Sequence, residues 1–184
     1  MERIGHWLGV LFGYLFLALA LLVTAETLAR KLFNVSLQGA DELGGYCLAV
    51  GSSLAFSVAL IERSHIRIDL LQQRLPGVLQ ALLNWLAVVS IACFGGLLAW
   101  VGYGIISETV AFRSTAPTPW ATPLIYPQGL WYAALLVFAL LALALAARAS
   151  WLLVRGRWRE LNSEFQPKGA MEELAEEIDD VQRR

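Results

Sequence analysis

The chain alternates long uncharged apolar runs with short polar punctuation. Four runs carry no charged residue: about Trp7–Ala25, Leu43–Ile61, Val78–Ile106 and Gln128–Ala147. Each approaches or exceeds the roughly 20 residues an α-helix needs to cross a bilayer core, and the third leaves length for tilt. A soluble helical bundle carries charges every three or four residues on its outer faces; these runs do not. The pattern predicts an all-α integral membrane fold with four transmembrane helices, at about 7–30, 41–62, 78–106 and 128–154.

The stretch from Asp41 to Pro76 changes character most sharply. Asp41 and Glu42 open it, an apolar run follows, and Glu62 and Arg63 close that run. The next segment, SHIRIDLLQQRLP, alternates like a strand from His65 to Leu70, yet Ile68, Leu71 and Leu75 recur at helical spacing. A lone strand at a membrane surface leaves its edges unpaired, whereas a helix satisfies its own backbone. A short interfacial amphipathic helix at about 64–75 is therefore expected, capped by Ser64 and stopped by Pro76. It places Ile68, Leu71 and Leu75 in the headgroup region and Arg67 and Arg74 toward lipid phosphates.

Small residues recur every four positions in two spans: Gly5, Gly9 and Gly13 in the first, and Gly45, Ala49, Ser53 and Ser57 in the second. Such a stripe lets another helix approach closely, so Gly45, Ala49 and Ser53 are the candidate packing positions. Glu26 and Arg30 stand at i, i+4 with the acid first, which favours a helical ion pair and carries helix to about Phe33. Asn34–Gly39 reads as a turn. Arg30 has acidic neighbours in Glu26, Asp41 and Glu42; Arg30 and Glu42 are assigned a role in folding or assembly. The proline-rich connection FRSTAPTPWATPLIYPQ is expected as a loop lying against the membrane or a partner. Residues 1–160 form the membrane domain and 161–184 an acidic tail, in which Leu174, Ile178 and Val181 make only a thin apolar stripe.

Composition agrees: 58 % hydrophobic and 16 % charged residues, with a mean hydropathy of +0.59. The net charge of −1 says little, because charges are segregated between runs. If the N-terminus is cytoplasmic, Arg3, Arg63, Arg67, Arg74 and the arginines closing the last span share its side, leaving only Arg30, Lys31 and Arg113 opposite. The positive-inside rule then puts both termini in the cytoplasm. Trp7, Trp85 and Trp151 fall near the inner interface, and Trp100, Trp120 and Trp131 near the outer one, as aromatic belts require. A cleaved signal peptide at Ala25 is disfavoured by the length of the first run and by the membrane segments that follow.

Chemistry is sparse. No ionisable side chain sits in the core of a span, where ion paths and proton relays are marked. Neither histidine lies inside a span for haem ligation. Cys47 and Cys93 have no metal-ligand spacing. No base accompanies the buried hydroxyls. No enzyme activity, cofactor, metal or nucleic-acid partner is expected. A non-haem membrane anchor for a respiratory or other enzyme complex is the alternative these residues leave open.

From Arg30 to Pro76 the chain closely resembles the small integral membrane subunit of TRAP transporters, the tripartite ATP-independent periplasmic carriers. The resemblance rests on Arg30, Phe33, Asn34 and Ser36 at the end of the first helix, and on Glu42 and Gly51 in the second. Its most specific part is His65-Ile66-Arg67-Ile68-Asp69-Leu70-Leu71 followed by Leu75-Pro76. Gln38-Gly39 departs from the aromatic often found before the second helix, and Glu62-Arg63-Ser64 from the usual basic approach to the histidine. The resemblance implies a scaffold subunit of a secondary active, sodium-coupled importer of an organic acid or similar solute. It implies a multi-pass protein of the bacterial inner membrane. Its partners would be a large membrane subunit, a periplasmic substrate-binding protein and membrane lipids.

Overall fold

The computed structural model describes residues 2–35, 39–61 and 75–165, with the backbone alone for 2–9, 11 and 12. Among them are five helices: α1 (Glu2–Phe33), α2 (Ala40–Ile61), α3 (Gly77–Phe112), α4 (Ile125–Val154) and the short α5 (Trp158–Phe165). No strand occurs among the described residues, only an isolated bridge between Thr115 and Pro123. Helices α2, α3 and α4 are each long and apolar enough to cross a membrane. The expected interfacial helix falls almost wholly in 62–74, outside the described residues, as do Arg67, Ile68, Leu71 and Arg74; residues 166–184 of the tail lie outside as well.

Helix ends follow local chemistry. α1 stops where Asn34 takes a positive φ of 55°, a conformation asparagine tolerates better than most residues. Gly39, at φ 99°, precedes α2, and its carbonyl accepts the Leu43 N–H. Asp41 and Glu42 occupy the first turn of α2, and Arg30 and Lys31 the last turn of α1, each suited to its helix dipole. Pro76, expected to stop one helix, starts another. Its carbonyl accepts the N–H groups of Leu79 and Gln80, and the Gln80 side chain donates to the Leu75 carbonyl.

Two boundaries differ from the sequence expectation. α3 runs on to Phe112 instead of stopping near 106, because Glu108 ends the apolar run without breaking the helix. Arg113, at φ 48°, then closes α3 with its N–H on the Val110 carbonyl and that of Ser114 on Thr109. α4 begins at Ile125, inside the stretch expected as loop. Pro127 is compatible with helix there because it lies in the first turn, where an N–H has no intrahelical acceptor.

The chain divides into two compact units, Met1–Val58 with Leu97–Phe138, and Ala59–Gly96 with Ala139–Arg184. In the first, α1 meets α2 through Phe16 on Gly51 and Leu19 on Gly44. A Cβ on Gly51 would stand 2.8 Å from the Phe16 ring. Gly102 of α3 likewise admits the ring of Tyr132 of α4, which a Cβ would meet at 2.8 Å. Phe56 and Phe138 add a tilted ring contact at 6.0 Å. In the second unit the interior is mostly alanine: Ala81 and Ala92 of α3, and Ala139, Ala142, Ala146 and Ala149 of α4, are buried. Small side chains bring helix backbones close, the main source of helix attraction where lipid removes the hydrophobic drive.

Along α3 the buried positions include Ala81, Val88, Gly95, Gly102 and Thr109, a seven-residue repeat. Leu135, Ala142 and Ala149 repeat at the same interval in α4. A heptad keeps one seam facing a neighbour when helices wind left-handedly. A spacing of four advances about 400° and drifts around the helix. That difference explains the second span. Ser53 and Ser57 are buried, Ala49 is half-buried, and Gly45 is exposed with open space around it. The four do not share one buried face.

Candidate functional site

Two polar clusters break the apolar surface, one in each unit. The first gathers around the α1–α2 turn. Glu26, only 3 % exposed, receives the Arg30 Nη2 donor at 2.6 Å and Nε at 3.2 Å. Asp41 lies at 3.7 Å on the other side of the same guanidinium but is 84 % exposed. The partners of Arg30 are thus Glu26 and Asp41. Glu42 turns elsewhere: its Oε1 accepts the Tyr46 hydroxyl and its Oε2 the Thr118 hydroxyl, both at 2.7 Å. The carboxylate is 7 % exposed, so these hydroxyls replace the water that burial removes.

This arrangement ties the proline-rich connection to α2. Ala116 N–H donates to the Thr122 carbonyl and Ala121 N–H to Thr118, folding 115–123 into a compact excursion. Trp120 from its tip lies over Gly39, where a Cβ would come within 2.6 Å of the indole. Gly39 is constrained twice, by its positive φ and by the ring above it. Thr109 donates to Gln128 Oε1 at 2.6 Å, joining the helix ends that flank the loop.

The second cluster lies in the other unit. Asn84, 1 % exposed, donates to Asn162 Oδ1 at 3.1 Å, and Asn162 donates in turn to the Gly77 carbonyl at 2.9 Å. Leu161 and Phe165 of α5 are buried beside this chain of bonds. The expected start of the acidic tail, residue 161, thus falls inside α5. Trp85 donates to Ser150 at 2.9 Å. Arg148 pairs with Glu164 and Arg157 with Glu160.

Of the residues singled out from sequence, Arg30 and Glu42 lie in the first cluster but do not pair with each other. Ser53 is buried and returns its hydroxyl to the Ala49 carbonyl. Gly45 presents an open backbone, and Leu75 is half-buried beside Pro76. Sequence reasoning missed Tyr46 and Thr118, since a hydroxyl brought from a distant loop leaves no local pattern; Tyr46, four residues after Glu42, carried a usable signal. It also missed Asn162. Among the described residues no group of three His, Cys, Asp or Glu side chains is disposed to hold a metal.

This chemistry latches helices together and offers no convergent nucleophile, base and oxyanion donors among the described residues. The family model for the DctQ component of tripartite ATP-independent periplasmic transporters matches residues 19–156. The chain belongs to this family. The match takes in the whole first cluster and all of α2, α3 and α4. No curated protein and no solved structure matches the chain. As the small membrane component of a TRAP transporter it is a multi-pass inner-membrane protein, in keeping with its three described membrane-length helices.

Proposed function

We propose that this chain is the scaffold subunit of a sodium-coupled TRAP importer for an organic acid, working beside a large membrane subunit and a periplasmic substrate-binding protein. It supplies neither a substrate nor a cation ligand, and it performs no catalysis. The observation that carries the reading is the family match across 19–156. It is supported by the character of the polar groups: the described carboxylates of the first cluster are engaged by Arg30, Tyr46 and Thr118.

Four spans complete the reading. α1, 32 residues long and uncharged from Trp7 to Ala25, is the fourth membrane helix, and the distribution of basic residues puts both termini in the cytoplasm.

Uptake into liposomes tests the proposal, with the large subunit and the periplasmic binding protein supplied and sodium imposed as the gradient. Transport is expected only when this chain is present. The Ser52→Ala, Ser57→Ala and Asn84→Ala variants should leave the apparent affinities for substrate and sodium within about twofold of wild type, since none of these side chains is a ligand. A large shift in sodium affinity from one of them, with assembly intact, would place an ion site in this subunit and end the scaffold reading.

A further inference from the structure

α4 ends at Val154 through a glycine stop. Gly156, at φ 69°, donates its N–H to the Leu153 carbonyl while Arg157 donates to Leu152. This turn puts four arginines within a few residues of the end of a membrane-length helix, and their partners divide them. Arg148 and Arg157 are neutralised by Glu164 and Glu160. Arg155 and Arg159 are exposed and make no ion pair among the described residues. Two positive charges are therefore left over among the described residues.

The surroundings are those of a bilayer edge. Val154 is 88 % exposed at the last turn of an apolar span, and Trp151 and Trp158 are partly exposed beside it. The Arg155 guanidinium stacks 4.2 Å from the Trp151 ring, which holds it at the indole's level. Arg159, Trp158 and Gly156 line a shallow open recess with Arg157 and Glu160. Apolar surface for an acyl chain thus adjoins guanidinium groups that no described acid engages, and such groups bind phosphate well because their planar forks match its oxygens.

We propose that Arg155 and Arg159, with the Trp151–Val154 surface, form a headgroup site for an anionic phospholipid at the end of α4. A glycerophosphate headgroup without its own cation complements the two surplus charges. A zwitterionic headgroup brings an ammonium that competes for the same phosphate.

The full-length chain is reconstituted in nanodiscs of mixed phosphatidylglycerol and phosphatidylcholine, and native mass spectrometry reads the ratio of the two lipids retained after release. Wild type is expected to enrich phosphatidylglycerol. The R155Q/R159Q double variant should lower that enrichment about 10- to 30-fold, the scale set by two basic residues near an anionic surface. The R155K/R159K variant should stay within about threefold of wild type, because the charge remains. The K31Q/R113Q variant removes equal charge from the other unit and should change the ratio little. If the glutamine pair does not fold, R155Q and R159Q alone should each cost about threefold to fivefold. An unchanged ratio in the glutamine variants overturns the site. So does an equal loss in K31Q/R113Q, which would mean charge without location. Displacement of the lipid by millimolar inorganic phosphate would overturn it too, since the site would then read free phosphate.

Discussion

The Thr118 hydroxyl donates to Glu42 Oε2 at 2.7 Å across 76 residues of sequence. That one bond, with Tyr46 on the other oxygen, fixes a loop of three prolines against the first turn of α2. The carboxylate is the shared acceptor, so its loss strands two part-buried hydroxyls at once, whereas loss of one donor leaves the other in place.

Glu42→Ala is accordingly expected to destabilise the purified chain more than Thr118→Val or Tyr46→Phe, lowering the thermal midpoint by several degrees against a few for either donor. Glu42→Gln keeps an acceptor oxygen and should fall between. Thermal unfolding in detergent, followed by near-ultraviolet circular dichroism of Trp120 and its neighbours, measures the order. Equal effects of Glu42→Ala and Thr118→Val would mean that the carboxylate is not the hub.

Arg30 yields a separate prediction about charge exchange. Its donors reach Glu26 and Asp41, while Glu42 is occupied by hydroxyls. Reversing Arg30 to Glu leaves Glu26 buried against a like charge and should reduce the yield of folded chain severalfold. The exchange Arg30→Glu/Glu26→Arg should recover part of that yield, though the reversed order is less favourable on a helix. The exchange Arg30→Glu/Glu42→Arg should recover none. Expression and monodispersity of the three variants decide it.

The glycines of α2 separate packing within the chain from packing against another. Gly51 is closed by the Phe16 ring, whereas Gly45 has nothing within 4 Å. Gly51→Leu should destabilise the isolated chain, in the range of roughly 1–3 kcal/mol that overpacking costs. Gly45→Leu should leave its unfolding unchanged but weaken co-purification with the large membrane subunit, since exposed small residues on a span are where a second helix can approach. Ala49→Leu is expected to show both effects in smaller measure. If Gly45→Leu unfolds the isolated chain and leaves the complex intact, this division of roles is wrong.

The membrane character, the helix α2 and the turn after Phe33 were legible from sequence because each rests on local signals: uncharged runs, acidic residues at a helix start, and Asn or Gly where φ turns positive. Helix ends near Ile106 and Gln128 were read wrongly because charge and proline mark the end of apolar sequence, not the end of hydrogen bonding. The partners of Glu42 were not legible at all. Sequence offered three acids for one arginine, and the choice depended on a loop whose hydroxyls arrive only after the chain has folded. The packing seam was present as a heptad in α3, from Ala81 to Thr109, but four-residue glycine spacing drew attention to a stripe that drifts out of contact.

Asn84 gives the last test, because a polar side chain inside a membrane helix is either a functional ligand or a structural tie. Its amide donates to Asn162, and Asn162 goes on to the Gly77 carbonyl, so the pair holds α5 against the start of α3. Leu161 and Phe165 are buried only while α5 stays in place. Asn162→Leu removes both bonds and leaves Asn84, 1 % exposed, without this partner. A cost of about 1–3 kcal/mol is expected for the two lost hydrogen bonds. The double change Asn84→Leu/Asn162→Leu removes both amides together and should cost less than Asn162→Leu alone. A cysteine introduced at Phe165 reports the docking. It should react with a water-soluble maleimide slowly in the parent and several times faster with Asn162→Leu, the double variant lying between. If labelling is already fast in the parent, α5 is not held down by these residues, and Asn84 must be retained for some other contact.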